Sequence, residues 1–403
     1  MTTSVSIAKK LTWASLFVLA LFLFTSFSLS AGHHIFIVFP GFYFLIKALQ
    51  SSDFKFSKSS KALFVLWLVS FLSVIWHFNE YERPIKFMLN TKYLLFGFLA
   101  IPAFYYFFKD LKDKNKIRLL INVILFSTTL ASASGLIGAF SGFNPLRLKA
   151  ACHEYRTCGM YGMYMSYAYG IQFFVVLLAG LLYHRKKYAG YFNLKLVLIA
   201  FFINVAGLYF SYARGALVAT MLAIPFYFYK KNKRLFLKLI VGVLLAFAIG
   251  LTIFPRLRAT FMSRDRMDSA TIRFSYFQSA LYAFTDNPLL GMGYKNFEPN
   301  VLKIKEKYKI IWWQYLGHAH NNFLEHLAST GIIGFIAIFL FHLYWWRELM
   351  AGEGWSGTFG PPFMIVLLIS GMVQYTLGDG ETLFLIMPFY ALTQVDLLKQ
   401  EPL

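Results

Sequence analysis

The sequence predicts an all-α integral membrane protein with about twelve transmembrane helices, and three observations carry the prediction. Hydrophobic residues make up 58% of the 403-residue chain and charged residues 14%, with a mean hydropathy of +0.56. The apolar residues fall in continuous runs of helical length, about 20 residues being what a helix needs to cross the hydrocarbon core. Lys and Arg collect in alternate connections between those runs, as expected where cytoplasmic loops hold the positive charge. A soluble enzyme has nowhere to bury that apolar surface, a disordered tail is too polar to supply it, and a membrane barrel alternates apolar with polar at period two.

The runs, in order, are 11–29, 35–49, 63–78, 93–108, 119–140, 161–183, 196–210, 216–229, 235–254, 323–346, 361–377 and 382–397. The first lacks a small-residue cleavage site before the chain turns back at Ile35, so it is expected to persist as a helix and not as a removable signal. No linker or repeat divides the chain. Residues 1–403 are therefore expected to form a single integral membrane domain, with 255–322 as a loop inserted in it.

With Lys9 and Lys10 inside, the cytoplasmic segments carry 22 of the 39 Lys and Arg. The net charge of +21 thus reads as membrane orientation, and no nucleic-acid partner is expected. Both termini are expected in the cytoplasm, which puts 255–322, between the ninth and tenth crossings, outside. Ten basic residues lie there, including Arg256, Arg258, Arg264, Arg266 and Arg273. Long loops escape the charge rule, so this excess suits either lipid-headgroup contact or an electropositive site for a polyanion. Within it, 269–284 reads as an amphipathic helix, with Ile272, Tyr276, Ser279, Ala280 and Ala283 on one face and Asp286, Asn287 and Pro288 as its stop. Cys152 and Cys158, in the external connection after the fifth run, are either joined by a disulfide or two free thiols, and their spacing matches no metal site.

Two features stand out of place. Arg214 lies between two apolar runs with almost no loop to hold it, where a buried Arg costs about 2.5–3.5 kcal/mol at a helix centre. It either caps carbonyls or pairs with Asp379 or Glu381 of another external turn, or is aimed at an anionic ligand. The second feature is the stretch 317–325. Asn322 followed by Glu325 has capping-box spacing, which leaves His320 just outside the tenth crossing, where an imidazole suits a general base. His318 and His320 lack an acidic neighbour in sequence; the acidic pairs Glu80 with Glu82 and Asp379 with Glu381 have the chemistry to hold Mg²⁺, but Asp379 and Glu381 read as turn acids or Arg partners. No metal and no cofactor are expected.

Three ordered patterns run through this half of the chain. Arg214 is followed four residues later by Val218, in an Arg-x-x-x-Leu arrangement with Val in the last place. Arg273 precedes Pro288, Gly291, Gly293, Asn296 and Phe297. His320 and Asn321 are followed, after nine residues, by Gly331 and Gly334. With these patterns, over about 209–334, the chain resembles the O-antigen ligase and O-antigen polymerase superfamily of bacterial inner-membrane glycosyltransferases. The first two hundred residues are similar only in hydropathy and number of crossings.

The resemblance implies an O-antigen ligase. Such an enzyme transfers a polysaccharide from undecaprenyl diphosphate to a sugar hydroxyl of lipid A-core, on the periplasmic face and without a metal. Both substrates are amphiphiles reached through the membrane lipids. On this reading Arg214 and Arg273 meet the diphosphate, His320 is the general base, and Arg264, Arg266, His318 and Asn321 bind substrate. Trp312 and Trp313 suit sugar stacking. The related polymerase reaction uses the same donor, and a lipid-linked oligosaccharide transporter shares the hydropathy; a transporter, however, wants its ionisable groups near the midplane, whereas these crowd one surface.

Overall fold

The computed structural model describes residues 2–52, 54–111, 113–253, 258, 264–311 and 315–398, with 264–269 described by backbone alone. The first half contains α1 (Thr2–Phe22), a short α2 (Phe27–Ser30), α3 (Gly32–Gln50), α4 (Lys58–Trp76), α5 (Pro84–Asn90), α6 (Lys92–Lys109) and α7 (Lys114–Ser141). The first helix begins well before the first apolar run, with Lys9 and Lys10 inside it. Gly142 ends α7 in the left-handed region, at φ 77°, a place glycine fills without a Cβ penalty. A two-stranded antiparallel hairpin follows, β1 (Phe143–Asn144) with β2 (Lys149–Ala150). Cys152 and Cys158 are joined by a disulfide, their Cα atoms 6.3 Å apart.

The chain continues through α8 (Tyr164–Tyr183), α9 (Arg185–Tyr188), α10 (Leu194–Phe210), α11 (Arg214–Ala223) and α12 (Lys233–Ile253). The inserted segment holds α13 (Arg264–Asp286) and α14 (Phe297–Lys307). Three helices close the fold: α15 (Asn322–Ala351), α16 (Trp355–Gly371) and α17 (Gly380–Leu398).

Among the described residues nine helices are long and apolar enough to cross a membrane, or ten if α9 and α10 with their 109° bend count as one span. The count falls below twelve because the eighth and eleventh apolar runs form shorter helices, Arg214–Phe228 and Trp355–Gly371. At about 1.5 Å per residue neither reaches across roughly 30 Å of hydrocarbon. Pro225 turns the end of α11 into a 3-10 segment, since proline removes an amide donor and clashes with the preceding turn.

Packing places α1 against α3 and α7, α3 against α6, α6 against α17, α4 against α15, α10 against α7 and α8, and α11 against α16. Aromatic rings fill the seams: Phe363 stacks on Phe389 at 3.9 Å and Trp345 meets Tyr390 edge-on at 4.9 Å. By contrast α12 buries only Gly250, as a helix facing lipid on nearly all sides does.

One end of the bundle carries the site. The disulfide loop is tied to it where Thr157 N donates to Phe210 O at 3.1 Å and Tyr161 OH donates to Leu23 O at 2.5 Å. Above α15, Tyr276, Ala280 and Ala283 of α13 form a small core with Phe297, Val301 and Ile304 of α14 and with Ala319 and Ala328. The amphipathic face expected over 269–284 is therefore the packed face, and its helix extends back to Arg264.

Candidate active site

The glycines of two sequence patterns meet. Helix α15 is broken at Gly331, which has φ 64° and ψ −162°, a conformation that only glycine adopts easily. The Pro288–Gly291 turn docks into that break: Ile332 N donates to Pro288 O at 2.8 Å and Met292 N donates to Ala328 O at 3.0 Å. A Cβ on Gly331 would fall 2.3 Å from Leu289 O, and one on Gly291 would fall 2.4 Å from the Ser329 carbonyl carbon. The two backbones thus cross in contact, and this crossing fixes α13 and its Arg273 relative to the start of α15.

Asn321 caps that start. Its side chain accepts from Phe323 N at 2.9 Å and Leu324 N at 3.0 Å, and its Nδ2 donates to Met372 O at 3.3 Å. The cap falls one residue before the expected Asn322, which instead turns into the bundle to donate to Thr376 Oγ1 and accept from Leu377 N. Buried Glu325 does reach back, as in a capping box, but to Ala319 N at 2.7 Å. The Asn321 amide is thus bonded both to the helix start and to Met372.

His320 lies just outside the helix at φ 48°, strained for a residue with a Cβ. Its backbone N–H donates to His318 Nδ1 at 3.1 Å, and its ring Nδ1 donates to Gln374 Oε1 at 2.8 Å. An imidazole that donates through Nδ1 keeps its lone pair on Nε2. The contact from Gln374 Nε2 to His318 Nε2, at 3.5 Å, is too long to compete. Burial pushes the His320 pKa down to about 4, with Arg273 adding to the effect and the Gln374 bond opposing it. Burial likewise lowers His318 to about 3, helped by His320, Arg273 and Lys295. Both rings are neutral at pH 7.

The loop carrying these histidines is braced from beneath. Tyr276 of α13 places its ring 5.6 Å from that of His320 and donates through its hydroxyl to Leu316 O at 3.1 Å. Lys305 of α14 is fully buried, with its ammonium 3.9 Å from the Tyr276 ring centre and donating to Tyr315 O at 3.0 Å. Burial lowers the Lys305 pKa to about 8.

The cations converge from different elements. Arg214 opens α11 and Arg273 lies on α13, each half-buried. Both charges act on the Tyr169 hydroxyl, and that of Arg273 acts also on His318 and His320. Tyr169 in turn lies against the start of α11, since a Cβ on Gly215 would fall 2.5 Å from its hydroxyl oxygen. Lys295 joins the group from the turn before α14, donating to Gly378 O at 2.6 Å. Burial lowers its pKa, with Asp379 the strongest opposing charge. Asp379 itself accepts from Glu381 N at 3.1 Å, and Glu381 bonds the Ser166 side chain with Arg147 nearby.

Arg273, His318 and His320 are thus brought together, and Arg214 is linked to them through Tyr169, against which the start of α11 packs. Arg264 and Arg266 begin α13, and their side chains lie outside the described residues, as do Arg256, Trp312 and Trp313. Gln374, Lys295, Lys305 and Tyr169 were not singled out from sequence. Lys305 shares the buried face of α14 with Val301 and Ile304, a helical spacing visible in sequence, whereas Gln374 is one polar residue at the end of an apolar run.

No curated protein matches the chain. The family profile described as O-antigen ligase matches residues 199–339, the segment that supplies Arg214, Arg273, His318, His320 and both crossing glycines. Over that segment, about a third of its length, the chain is similar to the O-antigen ligase family.

Proposed function

We propose that this protein is an O-antigen ligase that moves a glycan from a prenyl diphosphate, undecaprenyl diphosphate, onto a sugar hydroxyl of lipid A-core. The observation that carries the reading is the neutral imidazole of His320, clamped by Gln374 with its Nε2 lone pair available, inside the field of Arg273 and on the face where Arg214 opens α11. Acyl-anchored and prenyl-anchored substrates reach such a patch by lateral diffusion in the bilayer.

The reaction needs charge stabilisation and one proton transfer. His320 Nε2 takes the acceptor hydroxyl proton as that oxygen bonds to the anomeric carbon. The bond from the anomeric carbon to the diphosphate oxygen breaks with its electron pair, and prenyl diphosphate departs. Arg214 and Arg273 neutralise the charge growing on it through paired N–H donors. Diphosphate is a good leaving group when so neutralised, so no metal takes part and activity is expected to persist in EDTA. A base on one side and phosphate binders on the other give a single displacement with inversion, and a retained anomeric configuration in the new linkage would contradict it.

Two features support a periplasmic site with cytoplasmic termini in the inner membrane. The Cys152–Cys158 disulfide lies at the site's end of the bundle, in keeping with an oxidising compartment. The surplus of Lys and Arg lies in connections at the other end.

The test is purified protein mixed with both lipid substrates, without ATP or an ion gradient. Formation of the conjugate is the expected result; transfer of one prenyl-linked glycan onto another instead would identify a polymerase.

A further inference from the structure

The end of the bundle opposite the candidate site holds a second feature that the transfer reaction does not use. Where α8 ends, a cavity of about 460 Å³ is lined by Tyr183, His184, Arg185, Lys186, Lys187 and Lys231. Its four cations are exposed, and among the described residues none of them forms an ion pair. Neighbouring Lys230 is employed differently, donating to Leu349 O at 3.2 Å and Gly352 O at 2.6 Å at the end of α15.

His184 lies at the base of this cluster. It is buried, and its Nε2 has no hydrogen-bond partner; the buried hydroxyl of Tyr188, whose ring lies edge-on to that of His184 at 6.4 Å, has none either. The His184 ring is packed among Tyr183, Tyr227 and Phe359, so the cavity's polar wall is made by the four cations. We propose that this cavity binds the phosphate headgroup of an anionic phospholipid, with the four cations as its donors.

A lipid fits better than a soluble anion because of where the cavity opens. Helix α8 is one of the membrane-spanning candidates and ends at Tyr183, and Leu182 lines the inner wall. A phosphate held there leaves its acyl chains to run back along the apolar helix, and Tyr with Lys is the side-chain pair expected at headgroup level. Orientation of the chain in the membrane accounts for basic residues at this end, as for Lys55, Lys58 and Lys61, but it does not account for a cavity of about 460 Å³ walled by four of them.

The test uses the full-length protein purified in detergent and titrated with phosphatidylglycerol, phosphatidylcholine or inorganic phosphate, with bound lipid read by native mass spectrometry and folding by thermal unfolding. Phosphatidylglycerol is expected to bind roughly tenfold or more tightly than phosphatidylcholine. Lys186→Gln/Lys187→Gln/Lys231→Gln is expected to lose that preference, and the charge-matched Lys55→Gln/Lys58→Gln/Lys61→Gln to keep it. Equal binding of the two lipids, or equal loss in the two triple variants, would overturn the proposal. Stabilisation by inorganic phosphate matching that by phosphatidylglycerol would overturn the assignment to a lipid.

Discussion

Gln374 Oε1 lies 2.8 Å from His320 Nδ1, so a residue on the turn after α16 decides which nitrogen of the imidazole ahead of α15 carries the proton. Replacing Gln374 by Leu removes that control and leaves the ring free to rotate. Turnover is expected to fall by about 10- to 100-fold, part of what a general base contributes, with little change in KM for the donor lipid. Gln374→Glu keeps the acceptor and adds a charge that favours imidazolium, so it should preserve much of the rate and move the acid limb of the pH profile upward. Steady-state kinetics of both variants check this.

The acid limb itself is a second prediction. A base must be unprotonated to accept a proton, so activity falls as pH drops through the His320 pKa. Burial and Arg273 lower that pKa to about 4, so kcat/KM should hold below pH 6.5 and decline only toward pH 4. Arg273→Gln removes one cause of the depression and should shift the limb toward 6.5 as well as weaken the donor. Stability follows the same sign: the unfolded chain takes up protons at His318 and His320 first, so these sites cost stability as pH falls below about 6.5.

Arg214 and Arg273 are proposed to grip the diphosphate through their planar forks. Arg214→Lys keeps the charge and loses the bidentate geometry. A lost charge-assisted hydrogen bond is worth about 1.5–3 kcal/mol, so the donor kcat/KM should fall by roughly ten- to a hundredfold, and Arg214→Ala should fall further. Equal activity of Arg214→Ala and the parent protein would remove Arg214 from the site.

The backbone crossing predicts stability. Gly331→Ala puts a methyl 2.3 Å from Leu289 O on a residue at φ 64°, at a cost of about 1–3 kcal/mol for the backbone strain alone. Its thermal unfolding midpoint should drop by several degrees, and that of Gly291→Ala likewise. Gly242→Ala on α12, where an added Cβ meets nothing within 4 Å, should leave the midpoint unchanged or raise it slightly.

The helical membrane architecture was legible because apolar runs of span length need no tertiary context to be recognised. Two of the twelve runs formed short helices, and what shortens α11 is Pro225, visible in sequence but outweighed there by hydropathy. Arg214, Arg273 and His320 stood out because cations and an imidazole beside apolar runs are costly to place. Gln374 and Lys305 did not, since their roles come from contacts with residues 54 and 29 positions away respectively, and periodicity reports only neighbours on one element. The capping residue was misplaced by one position, Asn321 for Asn322, because two adjacent asparagines offer the same chemistry and only the backbone angle chooses between them.

The most direct measurement is the single-turnover rate of glycan transfer by purified His320→Ala, with donor-lipid binding measured on the same sample. The expected result is a loss of at least about a hundredfold in the transfer step with the donor still bound at close to parental affinity. A transfer rate near that of the parent protein would contradict the assignment of His320 as the base.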